Sequence, residues 1–171
     1  MLQVAAPNFS LRDSLECGQA FRWRAQGGRY YGIIHGCAVR VKQDGATLTV
    51  ETLDPHLTAD HIRHYFALDL DLSAILTSID VDAQIHDAIA RHRGLRILSQ
   101  DPWECLAGFI CSSYNNIKRI EGMIERLCQT YGAPVAFNGF RGCTFPMPET
   151  LARVSERRLR ELGLGFRAGY L

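Results

Sequence analysis

An α+β fold, with an antiparallel sheet early in the chain and helices after it, follows from three features of this 171-residue sequence. Short segments rich in aromatic and β-branched residues alternate with glycine-containing turns over residues 20–52. From residue 58 onward apolar residues recur at steps of three and four, the period of a helix. A capped helix, a polar turn and a second helix then succeed one another over residues 101–132.

Residues up to Ser14 read as a lead-in strand and turn, followed by Leu15-Glu-Cys-Gly-Gln-Ala-Phe-Arg-Trp23. Gly18 in that run either forms a simple turn or bulge, or lets the backbone come close enough for its carbonyl to touch a ligand. Strands are expected over 21–24, 29–35, 38–42 and 47–52, separated by Gln26-Gly27-Gly28, His35-Gly36 and Asp44-Gly45. Asp-Gly is a strong hairpin signal because both residues tolerate the positive φ angles of a tight primed turn. Together these turns predict an antiparallel meander.

Thr58 can cap a helix carrying Ile62, Tyr65 and Phe66, and further helices are marked by Leu72, Ile75 and Leu76 and by Val81, Ile85, Ala88 and Ile89. They are expected to cover one face of the sheet. His61 and His64 lie three apart with no cysteine or carboxylate at ligand spacing, so surface histidines are expected rather than a metal site. No metal or cofactor is expected.

The stretch 101–120 is the most sharply specified. Asp101 is an N-cap and Pro102 sits at the first helical position, where its missing N–H costs nothing. Leu106, Phe109 and Ile110 follow at helical spacing, and Gly108 and Cys111 permit close packing, which predicts a helix buried on most sides. Ser112 to Asn116 interrupt it. Ile117, Ile120, Ile124 and Leu127 then mark a second helix ended by Gly132. Residues 133–148, rich in Gly, Pro and Phe, read as a long loop, and Leu151, Val154, Leu159 and Leu162 as a last helical region with Ser155 as an internal cap.

Hydrophobic residues make up 47% of the chain, enough for a substantial core, and the formal charge is only +1. Composition alone therefore does not announce a nucleic-acid binder. Only Lys42 and Lys118 of the 19 basic residues are lysine; the arginine bias suits planar and stacking contacts, but GC-rich genes produce it equally well. Six cysteines without paired spacing suggest buried thiols in a reducing compartment. No apolar run reaches membrane length and no signal peptide is recognisable, so a cytoplasmic, nucleoid-associated protein of bacterial type is expected.

Three motifs carry a resemblance: Leu15 to Trp23, the run 101–120, and Phe145-Pro146 with Leu162-Gly-Leu-Gly-Phe-Arg-Ala168. In this order they resemble the N-terminal part of the 8-oxoguanine DNA glycosylases. The resemblance implies an α+β part over 1–98, followed over 99–171 by the first helices of an all-α helix-hairpin-helix part. It implies base-excision repair, with excision of 8-oxoguanine opposite cytosine and cleavage of the abasic strand, and double-stranded DNA bound by a monomer. An alkyl-base glycosylase or a non-catalytic damaged-DNA-binding remnant is the alternative.

Residue by residue, Gly18 matches the glycine whose carbonyl accepts the proton on N7 of the oxidised base. Tyr114, Asn115 and Asn116 stand where the family carries three asparagines. The first of those fills the gap left by the flipped base and touches the estranged cytosine. Tyrosine there can stack as a wedge but lacks the amide's paired donor and acceptor. Arg119 and Arg167 match the cytosine-reading arginines; without the resemblance both would be read as solvated surface residues. Phe21 is either a duplex contact or core, and Lys118 belongs to the same basic turn. The family's nucleophilic lysine and its aspartate have no match here, so the chain is expected to be a fragment that is catalytically inactive alone.

Overall fold

The computed structural model describes all residues, Met1–Leu171. Strands β1 (Leu2–Ala5), β2 (Arg24–Gln26), β3 (Arg29–Ile34), β4 (Cys37–Asp44) and β5 (Thr47–Thr52) form one sheet in the order β1-β5-β4-β3-β2. The predicted meander is therefore present, and β1 closes its far edge antiparallel to β5, with Val4 opposite Leu48. Strand β2 begins at Arg24, so Phe21, Arg22 and Trp23 lie outside the strand expected for them.

The chain divides into two compact units, Met1–Ala20 with Ala25–Tyr30 and Arg40–Ser99, and Phe21–Arg24 with Tyr31–Val39 and Gln100–Leu171. In the first, Val4, Val41, Leu48 and Val50 are buried together with Leu11, Leu15, Ile62 and Phe66. Helix α1 (Leu11–Glu16), with Ser10 as N-cap, occupies residues read from sequence as strand and turn; six residues are too few to display a helical period. Helix α2 (Ala59–Tyr65) has the expected Thr58 cap, closed reciprocally by the His61 side chain. His61 thus serves the cap, while His64 Nε2 lies 2.9 Å from Ser99 Oγ.

Helices α3 (Leu72–Ile79) and α4 (Ala83–Arg91) form where expected but do not blanket the sheet. In α3 only Leu72 is buried, and α4 buries no residue. Periodicity establishes that a helix has an apolar stripe; it does not say what the stripe packs on.

In the second unit, helix α5 (Pro102–Ser112) starts at the Asp101 cap, and helix α6 (Ile117–Tyr131) at the Asn116 cap. Ile120, Met123, Ile124, Leu127 and Cys128 of α6 form a buried stripe against Leu151, Leu159 and Leu164. The packing of α5 departs from expectation. Its buried residues are Ala107, Gly108 and Cys111, whereas Leu106 is 51% and Phe109 76% exposed. A Cβ on Gly108 would meet the Phe21 ring at 3.4 Å and Ile124 at 3.8 Å, so α5 approaches these neighbours through its small residues and turns Leu106 and Phe109 outward, while Trp103 at its start packs on the core.

Residues 133–148 are not a plain loop. Strands β6 (Pro134–Phe137) and β7 (Phe140–Cys143) pair antiparallel across Asn138-Gly139, whose φ angles of 45° and 83° belong to a primed hairpin turn. Two short helices, α7 (Pro148–Leu151) and α8 (Glu156–Leu159, capped by Ser155), lead into a π turn at Arg160–Leu164 and a 3-10 turn at Gly165–Gly169.

The cysteines are not uniformly buried. Cys111 and Cys128 are, but Cys17 and Cys105 are exposed and Cys37 and Cys143 are partly so. Burial pushes the Cys111 thiol up to about 11 and that of Cys128 up to about 12. Only the thiolate is nucleophilic. Maleimide labelling at neutral pH should therefore modify Cys17 and Cys105 first, with Cys111 and Cys128 reacting ~100-fold or more slowly until denaturant is added. Mass mapping of the labelled peptides checks this order.

Candidate nucleic-acid interface

The α5–α6 turn is held in part by its own polar groups. The Asn115 amide donates to the Cys111 carbonyl (3.1 Å), and its Oδ1 accepts from the Asn116 N–H (3.1 Å). Asn116 Oδ1 accepts from the Arg119 N–H at 3.0 Å, satisfying one of the orphan donors of the α6 N-terminus. The two asparagines are thus engaged in capping. Expected from the resemblance as DNA contacts, they act first as the frame that fixes the turn.

Tyr114 is what that frame presents. Its side chain is 97% exposed and its φ is +49°, the left-handed region that a bulky L-residue enters at a cost of roughly 1–2 kcal/mol. A large aromatic ring held in water on a strained backbone stabilises nothing within the chain. Such local strain is concentrated at binding sites.

Arg167 accounts for how the turn is kept there. It is only 5% exposed. Its Nε donates to the Ser113 carbonyl (3.0 Å), Nη2 to the carbonyls of Ser113 and Tyr114 (3.1 Å to the latter), and Nη1 to that of Leu164 (3.3 Å). A cation at these carbonyls also complements the partial negative charge at the C-terminus of α5. Sequence alone reads Arg167 as a solvated residue; the structure turns it inward, where the Ser113 and Tyr114 carbonyls beyond the end of α5 have no helical partner and need donors.

Next to it stands a residue that sequence reasoning passed over. Phe166 is 49% exposed, and the Arg167 guanidinium carbon lies 4.5 Å from its ring centroid. The available signal was an aromatic side chain between two glycines and an arginine in a segment that cannot continue as a helix. Phe21, read from sequence as either a duplex contact or core, packs on the core of the second unit and is half-buried there.

Lys118 and Arg119 are both exposed in the first turn of α6, which contains no acidic residue. Cations are disfavoured at a helix N-terminus by about 0.3–1 kcal/mol each. Two of them beside the partial positive charge of a 15-residue helix form an arrangement that can attract an anion such as a phosphate. Tyr114 and Phe166 add flat aromatic surfaces on which a base can stack.

Gly18 belongs to the first unit, where it follows the end of α1 with a φ of +89°. No side chain other than hydrogen suits that conformation well. Lys42 pairs with Asp44 at 2.8 Å on β4 and takes no part in either arrangement.

The family model described as "8-oxoguanine DNA glycosylase, N-terminal domain" matches residues 1–106. An "N-glycosylase/DNA lyase" of Saccharomyces cerevisiae is 41% identical over 99% of this chain and 50% of its own length. The chain spans about half the length of that relative and of its Arabidopsis thaliana counterpart. Among solved structures, one described as MBOgg1 in complex with a low affinity DNA ligand superposes with a TM-score of 0.90 at 36% identity, over 96% of this chain and 57% of the other. The Clostridium acetobutylicum 8-oxoguanine glycosylase/lyase, bound to double-stranded DNA with cytosine opposite 8-oxoG, gives 0.88 at 32% identity over the same shares.

Proposed function

Because the chain belongs to the 8-oxoguanine DNA glycosylase family through a match over more than half of its residues, we propose that it binds damaged duplex DNA in base-excision repair. The protein of which it forms part excises 8-oxoguanine opposite cytosine and cleaves the abasic strand. This chain supplies lesion and estranged-base recognition, as a monomer, without a residue matching the family's nucleophilic lysine. The observation that carries this reading is the α5–α6 turn. An exposed, strained Tyr114 stands beside a helix N-terminus bearing Lys118 and Arg119.

The division of labour follows from the chemistry of each group. Tyr114 enters the gap left when the nucleotide rotates out, because a base in the stack cannot be reached at its glycosidic bond. Arg119 reads the acceptor edge of the widowed cytosine, since a guanidinium fork offers paired donors. Arg167 sets the Tyr114 carbonyl and the Phe166 ring and contributes its charge from behind them. Asn115 and Asn116 maintain the turn and the helix N-terminus onto which a phosphate binds. Gly18 offers its carbonyl to the N7 proton that 8-oxoguanine carries and guanine lacks, and the undamaged base would oppose a lone pair to it.

Fluorescence anisotropy with a duplex containing 8-oxoguanine opposite cytosine tests the reading. Neutralising about three phosphates predicts a loss of affinity of roughly fortyfold between about 50 and 200 mM salt. Arg119→Ala should weaken binding to the lesion–cytosine duplex by roughly tenfold and to undamaged duplex by much less. Affinity that is independent of salt would sink the proposal. No helix of the chain is long and apolar enough to cross a membrane.

A further inference from the structure

The Gly18 carbonyl is part of the peptide plane that Gly18 shares with Gln19, and planarity of that unit ties the carbonyl's direction to the placement of Gln19. The side chain of Gln19 is fixed at three points. Its Nε2 donates to the carbonyls of Ser14 and Arg96, both at 2.8 Å, and its Oε1 accepts from the Leu98 N–H at 2.9 Å. The amide thus pairs with residues 96 and 98 as a neighbouring strand would, and at the same time takes up a carbonyl that the end of α1 leaves without a helical partner.

The strut behind it is equally constrained. The Arg96 N–H donates to Ser14 Oγ at 3.0 Å, with Ser14 fully buried. The Arg96 side chain, 6% exposed, donates through Nη1 to the carbonyls of Ala67 (2.6 Å) and Leu70 (2.9 Å). Arg96 is therefore anchored by bonds that do not involve Gln19, and Gln19 is fastened to its carbonyl and to the Leu98 N–H. On the other side of the same peptide, Gly18 has the least restricted backbone of any residue type. Without the Gln19 bonds the plane could rotate about Gly18.

We infer that Gln19 is the positioning residue that aims the Gly18 carbonyl, and so sets the selectivity between an oxidised guanine and its parent. The inference rests on the lesion-reading role proposed above for Gly18. It separates two properties that a merely structural residue would move together, namely affinity for distorted duplex and preference for the oxidised base.

The test uses the full chain and three duplexes that carry, opposite cytosine, 8-oxoguanine, guanine or a stable abasic-site analogue. Gln19→Glu keeps the shape but replaces two donated bonds with repulsion between a carboxylate and two carbonyls. Gln19→Met keeps the length, drops all three bonds, and carries the test if the carboxylate variant does not fold. The expected result is an 8-oxoguanine-over-guanine preference reduced at least about tenfold, with abasic-duplex affinity unchanged within about twofold. A wild-type preference retained in full by the variants overturns the role of Gln19 alone. Equal losses on all three duplexes would make Gln19 structural and overturn it too. A wild-type chain without any preference for the oxidised base overturns the lesion-reading role of Gly18, and the inference with it.

Discussion

Arg167→Ala should destabilise the folded chain by about 3 kcal/mol, read as a lowered midpoint in urea with an unchanged slope. The side chain is buried and bonded to the carbonyls of Ser113, Tyr114 and Leu164. Hydrogen bonds to a charged donor contribute roughly 1.5–3 kcal/mol each; water entering the vacated space restores part of that for the partly accessible turn. Arg167→Lys keeps the charge but not the planar fork that reaches three acceptors, and should recover less than half of the loss. Arg119→Ala, at an exposed position, should change stability by less than about 0.5 kcal/mol. The two arginines are thereby told apart: one acts through the fold, the other through the ligand. An Arg167→Ala variant as stable as the parent chain, weakened only toward cytosine-containing duplexes, would make Arg167 a direct base reader after all.

That contrast marks where the sequence was legible. Signals that act within a few residues were read correctly, because the chemistry that creates them is local. The Thr58 and Asp101 caps, Pro102 at the first helical position, the His35-Gly36 turn and the buried stripe of α6 are of this kind, whereas at Asp44-Gly45 the turn falls one residue later, on Gly45 and Ala46. The Asn138-Gly139 hairpin carried the same type of signal, but its short strands hid it among prolines and phenylalanines. What could not be read depends on distant partners. Whether α5 buries Phe109 or Gly108 is decided by Phe21, some ninety positions earlier, and by Ile124 on the next helix. Whether Arg167 faces water or the α5 carbonyls is decided by a turn more than fifty positions before it. At the candidate site, the motif located Tyr114 and Arg119 on an exposed turn. It carried no sign that Asn115 and Asn116 would be occupied by capping, or that Phe166 would stand beside the Arg167 guanidinium.

Tyr114→Gly should raise stability and lower DNA binding at once. At a φ of +49° glycine avoids the steric cost that tyrosine bears, and the gain, reduced by the larger entropy of the unfolded glycine chain, is about 0.5–1 kcal/mol. The 97% exposed ring makes no packing contribution that would offset this. Against duplex containing an abasic site, loss of one stacked aromatic removes roughly 1–3 kcal/mol, a weakening of about five- to 150-fold. Tyr114→Phe keeps both ring and strain and should behave as the parent chain in both assays. Tyr114→Asn tolerates the left-handed backbone, and should melt higher than the parent. It regains an amide able to pair with cytosine, so its preference for cytosine over the other bases opposite the lesion should rise even as its general affinity for gapped duplex falls. Thermal melts and anisotropy titrations on the three variants separate the two effects. Opposite signs in stability and binding for the glycine variant would identify the tyrosine as strain retained for contact with DNA. Binding that survives Tyr114→Gly undiminished would leave the exposed Phe109 and Phe166 as the aromatics to test next, and would remove Tyr114 from the interface.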